Sequence, residues 1–322
     1  MDQIFYAKSG RLKLNDNAPN VIAAHDAEQQ LFNFYNLNPQ THYIMLSGSD
    51  IRMRVSEIGT GEPLVIIPGN TGDVFPLIPL IAQLTGRRVL AINRPGGGLS
   101  EGMDHHEVKL RKFAVRMITS VVDYFKLDSA HIVAHSIGGH FSFYMAMDCP
   151  QRVKSLTLLG VPGNIISTGP PFALRLIAVP VINRLLVKLI KPKSAANALR
   201  GLSFVGHSKE TLNRLPHAFS ECYYRFQQLP HYDISLLSLM EQASAMFGEG
   251  IKITEDELKE VKQPILFLWG TNDPFGSIEI GKKIAGYVPS SVFHPIQNAG
   301  HLPWLDSPVE FGNYILDFLS DK

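Results

Sequence analysis

Short apolar runs recur along the chain from about residue 42 and alternate with longer segments of helical periodicity. The run PLVII from Pro63 is continuously apolar, and this pattern is typical of strands covered on both faces of a sheet. The run IRMRVSEI from Ile51 instead alternates apolar and polar residues, which predicts a strand with one exposed face. We interpret eight such runs as strands: 42–47, 51–58, 63–67, 88–92, 131–134, 155–160, 264–270 and 291–296.

Helical patterns follow several of these strands, over about residues 107–125, 137–147 and 277–285, and a last helix is expected to begin near Pro308. Strands that alternate with helices predict a largely parallel sheet with helices on both faces. We therefore expect an α/β fold built on a mostly parallel, eight-stranded sheet flanked by helices.

The alternation stops between Gly163 and about Lys262, where no buried-strand run occurs and the pattern is helical. About 100 residues are far too many for a connection between a strand and the next helix, so we predict an inserted helical cap over 163–262. The core then comprises residues 41–162 and 263–322. Residues 1–40 form a polar N-terminal extension, with a short helix expected near Asp26–Tyr35.

The charge balance argues against nucleic acid as a partner, because 30 Lys and Arg residues face 29 Asp and Glu residues in 322. Two cysteines, Cys149 and Cys222, provide no disulfide framework. The N-terminal sequence lacks the features of a signal peptide, and no run of 18 uncharged apolar residues is present. We expect a soluble, cytoplasmic protein, and its oligomeric state stays open.

The segment HIVAHSIGGH joins a predicted buried strand directly to a predicted helix, with Ser136 on the turn between them. A nucleophile on such a turn has a strained backbone, so small residues are needed two positions before and after it. Ala134 and Gly138 meet this requirement. The turn exposes the hydroxyl and directs the N–H groups of the new helix toward the reacting oxygen. Ser136 is therefore the candidate nucleophile.

A serine hydroxyl needs a base to take its proton and an acid to hold that base in one tautomer. Asp273 follows an apolar strand in PILFLWGTNDPF, and His301 precedes the final helix in QNAGHLPWLDSP. With A-x-S-x-G, these W-G-x-x-D-P and G-H-x-P-W-x-D-x-P motifs resemble those of the capped α/β-hydrolases. The likeness runs from about residue 50 to the end, outside the insert. It implies that fold, a cap after the sixth strand, and a Ser136–Asp273–His301 triad.

An oxyanion hole requires two backbone N–H donors, each contributing roughly 2.7–4 kcal/mol of transition-state stabilisation. The N–H of Ile137, directly after the nucleophile, is the first predicted donor. The family places the second after its third strand, in a motif like H-G-x-P, whereas this chain has IIPGNTGD with Pro68 in place of the histidine. By position the second donor is the N–H of Asn70, and the geometry of the hole stays open.

A serine nucleophile indicates acyl transfer: hydrolysis of an ester, a lactone, or a C–C bond next to a ketone, in an apolar small molecule. Apolar lining is usual for such pockets, and we assign substrate contacts to Tyr223, Tyr224 and Phe226 in the cap and to Trp304. The cap also carries a basic face that is compatible with weak contact with a membrane surface. Its residues are Arg175, Arg184, Lys188, Lys191 and Lys193.

We expect no cofactor and no metal. The glycine-rich INRPGGGLSEG loop resembles the family's D-x-R-G-x-G-x-S loop and lacks the Lys-Ser/Thr of a phosphate-binding loop, so we interpret it as structural. Asp104, His105 and His106 lack further ligands at suitable spacing. Two other functions remain open on the same fold: a ligand receptor with an intact triad, and a cofactor-free lyase, oxygenase or perhydrolase.

Overall fold

A computed structural model describes residues 11–106, 108–160, 163–166, 168–171, 175–244 and 251–320. Its strands are β1 Arg11–Leu12, β2 Gln40–Met45, β3 Arg52–Ile58, β4 Glu62–Ile67, β5 Arg87–Asn93, β6 Gly102–Met103, β7 Ala130–His135, β8 Val153–Leu159, β9 Ile265–Gly270 and β10 Ser291–Ile296. Strands β1 and β6 pair as a small antiparallel ribbon, and the other eight form one sheet in the order β10-β9-β8-β7-β4-β5-β3-β2.

The main sheet confirms the predicted eight-stranded, mostly parallel fold. Strands β4, β5 and β7–β10 pair in parallel, and only β2 and β3 add antiparallel pairings at one edge. The central strands β7 and β9 are buried along their whole length, whereas the edge strands β2 and β10 are partly exposed. This burial accounts for the continuously apolar sequence of β9 and for the apolar stretch Ile132–Ala134 of β7.

The described α-helices are α1 Pro19–Phe34, α2 Ile78–Ile81, α3 Leu110–Tyr124, α4 Ile137–Asp148, α5 Ile182–Ile190, α6 Ala195–Ala198, α7 Lys209–Arg214, α8 His217–Phe226, α9 Tyr232–Ala243, α10 Glu255–Glu260, α11 Ile278–Tyr287 and α12 Pro308–Ser320. Alternate residues of the sheet belong to two buried apolar clusters, because successive strand side chains point to opposite faces. One cluster includes α3, α4 and α11. The other includes α1, α2, α8 and α12.

The cap region follows β8, which is the sixth strand of the main sheet in chain order. Its described residues form helices α5 to α10, together with an isolated bridge between Ile165 and Ile253. Residues 161 and 162, where we place the first domain limit, lie outside the described part of the chain. The exact limits of the cap therefore stay a prediction.

The N-terminal helix α1 is longer than expected and belongs to the packed body of the protein. It begins at Pro19, before the expected Asp26, and buries Val21, Leu31 and Phe32. It also packs against the cap helix α8. The composition of residues 1–40 predicts a polar extension, because polar residues of the exposed side of α1 stand between its buried apolar residues in the sequence.

A buried ion pair joins α1 to the sheet. Glu28 accepts a hydrogen bond from Nη1 of Arg54 on β3, and both side chains are almost completely inaccessible to solvent. We predict that Glu28→Gln lowers the free energy of unfolding by about 3–5 kcal/mol, because it leaves a buried guanidinium without its counter-charge. Urea titration measures this effect. Asp16→Asn, which removes the exposed partner of Arg52, is the matched control and should cost only about 0–1 kcal/mol. Equal losses in the two variants would contradict the prediction.

Candidate active site

Ser136 occupies the turn between β7 and α4 in a strained conformation. Its φ of 51° lies in the left-handed region, which non-glycine residues rarely adopt and which often marks functional sites. The turn depends on Gly138: a Cβ at that position would lie 2.6 Å from the carbonyl oxygen of Pro68. These features match the geometry that the sequence motif predicts for a nucleophile.

The structure brings Ser136, His301 and Asp273 together in one chain of hydrogen bonds. His301 Nε2 lies 3.0 Å from Ser136 Oγ, and His301 Nδ1 lies 2.9 Å from Asp273 Oδ2. The buried carboxylate accepts the Nδ1 proton, which leaves Nε2 free to accept the serine proton. Both distances are within the range needed for general-base catalysis. The backbone N–H of Phe275 donates to the other carboxylate oxygen, Oδ1, at 3.0 Å.

Two aromatic contacts fix the plane of the histidine ring. The ring of Phe275 stacks on His301 with centroids 4.1 Å apart and an angle of 19°. On another side, the His135 ring packs against the His301 ring with centroids 4.8 Å apart, and His135 Nε2 donates to the carbonyl oxygen of His301 at 3.0 Å. His135 in turn packs edge-on against Trp304. Burial holds the pKa of His135 well below its usual value. His135 is thus a neutral support for the catalytic loop.

A cap histidine also supports this loop. His207 Nε2 accepts the backbone N–H of Leu302 at 3.1 Å, and its Nδ1 lies 3.0 Å from Asp306 Oδ2. Asp306 in turn accepts the N–H of Gly300 at 3.0 Å. The His207–Asp306 pair therefore holds Gly300 and Leu302, the two residues that flank His301. Sequence reasoning missed His207 because it lies in the insert, far from the histidine motif.

A buried arginine orients the loop that carries the second predicted oxyanion donor. Nη2 of Arg94 donates to the carbonyl oxygens of Gly69 at 2.6 Å and Asn70 at 2.8 Å. Because a trans peptide is planar, the Gly69 carbonyl that faces Arg94 sends the Asn70 N–H to the opposite side. Burial lowers the pKa of Arg94 to about 10, so it remains cationic at neutral pH. Arg94 belongs to INRPGGG, the loop interpreted as structural from the sequence.

Two cavities, each of about 260 Å³, meet at Ser136. They share Asn70, Ser136, Pro170, Met240 and Phe275. We name them the Asn164 cavity and the Tyr223 cavity, each after a residue that lines it alone. The Asn164 cavity is further lined by Ile137, Gly163, Asn164, Thr168, Gly169, Arg175, Ala178, Ala243, Ser244 and Ile251. The Tyr223 cavity is further lined by Pro68, Gly69, Thr71, Asp73, Pro76, Leu77, His135, Ile177, Gly201, Leu202, Val205, Tyr223, Leu236, His301 and Leu302. A substrate bound across Ser136 would extend one group into each cavity.

The four residues assigned to substrate contact from the sequence occupy different environments. Tyr223 lines its cavity, whereas Tyr224, Phe226 and Trp304 do not belong to the described lining of either one. Phe226 is fully buried against Phe75, with ring centroids 4.9 Å apart. Trp304 is also fully buried and donates from Nε1 to the carbonyl oxygen of Pro76. These two side chains pack the protein, so of the four residues only Tyr223 faces a described cavity, and its contact with substrate stays a prediction.

Comparison with known proteins identifies the family. A sequence profile of the alpha/beta hydrolase fold matches residues 62–308. The chain belongs to the α/β-hydrolase family. This hydrolase is 25% identical over 286 residues to the 2-hydroxy-6-oxononadienedioate/2-hydroxy-6-oxononatrienedioate hydrolase of Paraburkholderia phymatum, covering 86% of this chain and 93% of the relative. The Escherichia coli O139:H28 protein of the same name is 25% identical over 292 residues, covering 85% and 93%.

Solved structures show the same fold for this hydrolase. The naproxen esterase of Bacillus subtilis aligns with a TM-score of 0.73 at 17% identity, over 95% of this chain and 100% of the esterase. The meta-cleavage product hydrolase of Pseudomonas fluorescens IP01 aligns with a TM-score of 0.70 at 18% identity, over 87% and 97%. The resemblance inferred from the sequence motifs is therefore confirmed at the level of family and fold.

The described residues of this hydrolase contain no group of three His, Cys, Asp or Glu side chains arranged to hold a metal ion. Instead, His106 bonds to Asp104 and Glu241, and buried His105 contacts Ser238. Within the same described residues, no helix is both long and apolar enough to traverse a bilayer.

Proposed function

We propose that this protein is a serine hydrolase that cleaves esters of apolar acyl groups through an acyl-enzyme on Ser136. In this mechanism His301 Nε2 takes the proton of Ser136 Oγ as the oxygen attacks the carbonyl carbon. Asp273 stabilises the imidazolium that results. The N–H groups of Ile137 and Asn70 bind the oxyanion, and the alcohol leaves with the proton from His301. Water, activated by the same histidine, then releases the acid. The observation that carries this proposal is the continuous Ser136–His301–Asp273 hydrogen-bond chain beside the two cavities.

The cavity chemistry favours a neutral, apolar substrate. Leu77, Leu202 and Leu236 are among the residues lining the Tyr223 cavity. Burial raises the pKa of Asp73, which lines the same cavity, to about 7, and burial raises the pKa of the Tyr223 phenol to about 12. At neutral pH this cavity therefore presents a neutral phenol and a partly ionised carboxyl group. An anionic substrate group would therefore gain little binding free energy in the Tyr223 cavity.

Hydrolysis of a C–C bond is the second candidate function. It is supported by the names of the relatives from Paraburkholderia phymatum and Escherichia coli, whose substrates are dicarboxylates that carry a ketone. Arg175, which lines the Asn164 cavity, is the described cation that could face such a carboxylate. Its side chain is exposed, however, and its Nε donates to the carbonyl oxygen of Pro170 at 3.0 Å. We therefore rank ester hydrolysis first.

Steady-state kinetics with p-nitrophenyl butanoate and 2-hydroxy-6-oxononadienedioate separate these functions. We expect many turnovers of the ester, with kcat/KM of at least about 10⁴ M⁻¹ s⁻¹, and slower cleavage of the diacid. A higher kcat/KM for the diacid would establish the second candidate instead. Release of one equivalent of p-nitrophenol, followed by a stable adduct, would indicate a receptor rather than an enzyme.

Three neighbouring aromatic residues of α8 allow a test of the cavity assignment. Tyr223→Ala enlarges the Tyr223 cavity and should shift the preferred p-nitrophenyl ester toward longer chains. Phe226→Ala should leave this preference unchanged but lower stability by about 3–5 kcal/mol, because it empties a fully packed site. Tyr224→Ala, whose ring lies under Arg225 and lines neither described cavity, is the control for both effects. A series of esters of graded length and urea titrations measure them. A shift in preference for Phe226→Ala but none for Tyr223→Ala would refute the assignment.

A further inference from the structure

The cap helix α5 exposes a group of large aliphatic side chains. Leu185 is 61% exposed, Leu189 is 70% exposed, and Val181 directly before the helix is 77% exposed. Single exposed aliphatic residues are common, but a contiguous group of them marks an interaction site. We define the α5 surface as Val181, Ile182, Leu185, Leu189 and Ile190, all of which are exposed. Residues 182, 185 and 189 lie on one side of the helix because they are three and four positions apart.

This orientation of α5 is fixed by its buried side. Asn183 and Val187 are the buried residues of the helix. The side chain of Asn183 donates from Nδ2 to Glu241 Oε1 on α9 at 2.5 Å, and its Oδ1 accepts the backbone N–H of Arg184 at 2.7 Å. Turning Leu185 and Leu189 inward would require these bonds to break and would bury the cations of the helix. The outward direction of the aliphatic side chains is therefore part of the folded structure.

The α5 surface lies in a basic segment of an almost neutral protein, in which Lys191 is paired with Asp233 of α9 at 3.1 Å. The net charge of the whole chain is +1, yet no Asp or Glu occurs between Asp148 and Glu210. Residues 161–208 contain six cations: Arg175, Arg184, Lys188, Lys191, Lys193 and Arg200. Arg184 and Lys188 are exposed on α5 itself, beside the aliphatic stripe. Aliphatic residues flanked by Lys and Arg are the pattern of helices that lie in a membrane interface.

We propose that the α5 surface docks the cap on a bilayer of anionic phospholipids. The aliphatic side chains enter the boundary between headgroups and acyl chains, while Arg184 and Lys188 lie at the level of the lipid phosphates. Charge favours this occupant over a second copy of the chain. In a two-fold symmetric dimer the same surface would meet itself and bring like charges together.

Docking would bring the cavities close to the membrane. The turn Leu176–Ala178 packs against α5, and its residues Ile177 and Ala178 line the two cavities. An apolar ester dissolved in the bilayer would then reach Ser136 over a short distance. This consequence for substrate supply rests on the proposed function, whereas the docking itself does not.

Vesicle co-sedimentation with the inactive Ser136→Ala protein tests the docking independently of catalysis. Vesicles of phosphatidylcholine with and without phosphatidylglycerol are compared at low and high salt. We expect binding only to the anionic vesicles, reduced by at least about tenfold in the double variant Leu185→Ser, Leu189→Ser and about fivefold in Lys188→Gln. Val309→Ser and Lys282→Gln, which change an exposed aliphatic residue and an exposed lysine outside the cap, are the matched controls and should bind normally.

Other outcomes overturn the proposal. Absence of binding to anionic vesicles would do so, and so would binding that the α5 variants and the controls reduce equally. Sedimentation velocity on the same proteins tests for self-association. If the protein does not bind vesicles but forms a dimer, and the Leu185→Ser, Leu189→Ser variant is a monomer, the α5 surface is a dimer interface. Thermal melting confirms that each variant is folded before it is compared.

Discussion

Ser136→Ala should lower ester turnover by about 10⁶-fold while leaving the protein folded. The reason is that the variant removes the atom that forms the acyl-enzyme, and the remaining triad residues cannot act without it. The residual rate would come from the oxyanion donors and from substrate binding alone. Initial rates with p-nitrophenyl butanoate measure the loss, and thermal melting establishes that the fold persists.

Ser142→Ala is the matched control for this change. Ser142 is a buried serine on α4, the helix that begins directly after Ser136, and its hydroxyl donates to the carbonyl oxygen of Gly139 at 2.7 Å. It lies outside the described lining of both cavities, so its loss should leave turnover close to that of the parent protein. Turnover by the Ser136→Ala protein within tenfold of the parent would exclude Ser136 as the nucleophile.

Asp273→Asn should lower kcat by about 10⁴-fold at neutral pH. The Phe275 N–H donates to Oδ1, so an asparagine would place its carbonyl oxygen there and its amide NH₂ toward His301 Nδ1. The histidine would then carry its proton on Nε2 and could no longer accept the proton of Ser136. Reversal of the tautomer, rather than loss of packing, causes the effect.

A pH–rate profile of the Asp273→Asn protein tests this explanation. Asp317→Asn, at an exposed carboxylate on α12, is the control and should show the profile of the parent. Activity of Asp273→Asn near that of the parent across neutral pH would require a different carboxylate as the acid of the triad.

The sheet was predictable because its physical requirements are local. A strand covered on both faces is mostly apolar, as β9 is along its whole length and as β4 is from Leu64 to Ile67. Helix α1 was less predictable, since its buried residues are spaced along a helix whose other side is polar. The ion pair that joins α1 to the sheet was not predictable either, because an arginine such as Arg54 is ordinarily expected at the protein surface.

The triad was predictable from short motifs because each side chain follows or precedes a recognisable strand or helix. The supports of the triad were not, because they are brought together only by the fold. Arg94 reaches the carbonyls of Gly69 and Asn70 from the next strand's loop, and His207 reaches Leu302 from the cap. No local pattern distinguishes these residues from ordinary loop residues.

The cap illustrates the same limit. Tyr223 and Phe226 are three residues apart on α8 and are both aromatic, yet one lines a cavity and the other is fully buried. Both rings contact Phe75, with centroids 5.7 Å away for Tyr223 and 4.9 Å away for Phe226, so neither residue type nor this contact distinguishes them. Assignment of substrate contacts therefore required the tertiary structure.

Locating the acyl group during turnover tests directly whether Ser136 is the nucleophile. The protein is mixed with p-nitrophenyl butanoate, quenched in acid within one turnover, digested and analysed by tandem mass spectrometry. We predict a butanoyl group on Ser136 in the parent protein and none in the Ser136→Ala protein. A butanoyl group on another residue, or full turnover without any acylated Ser136 peptide, would contradict the proposed mechanism.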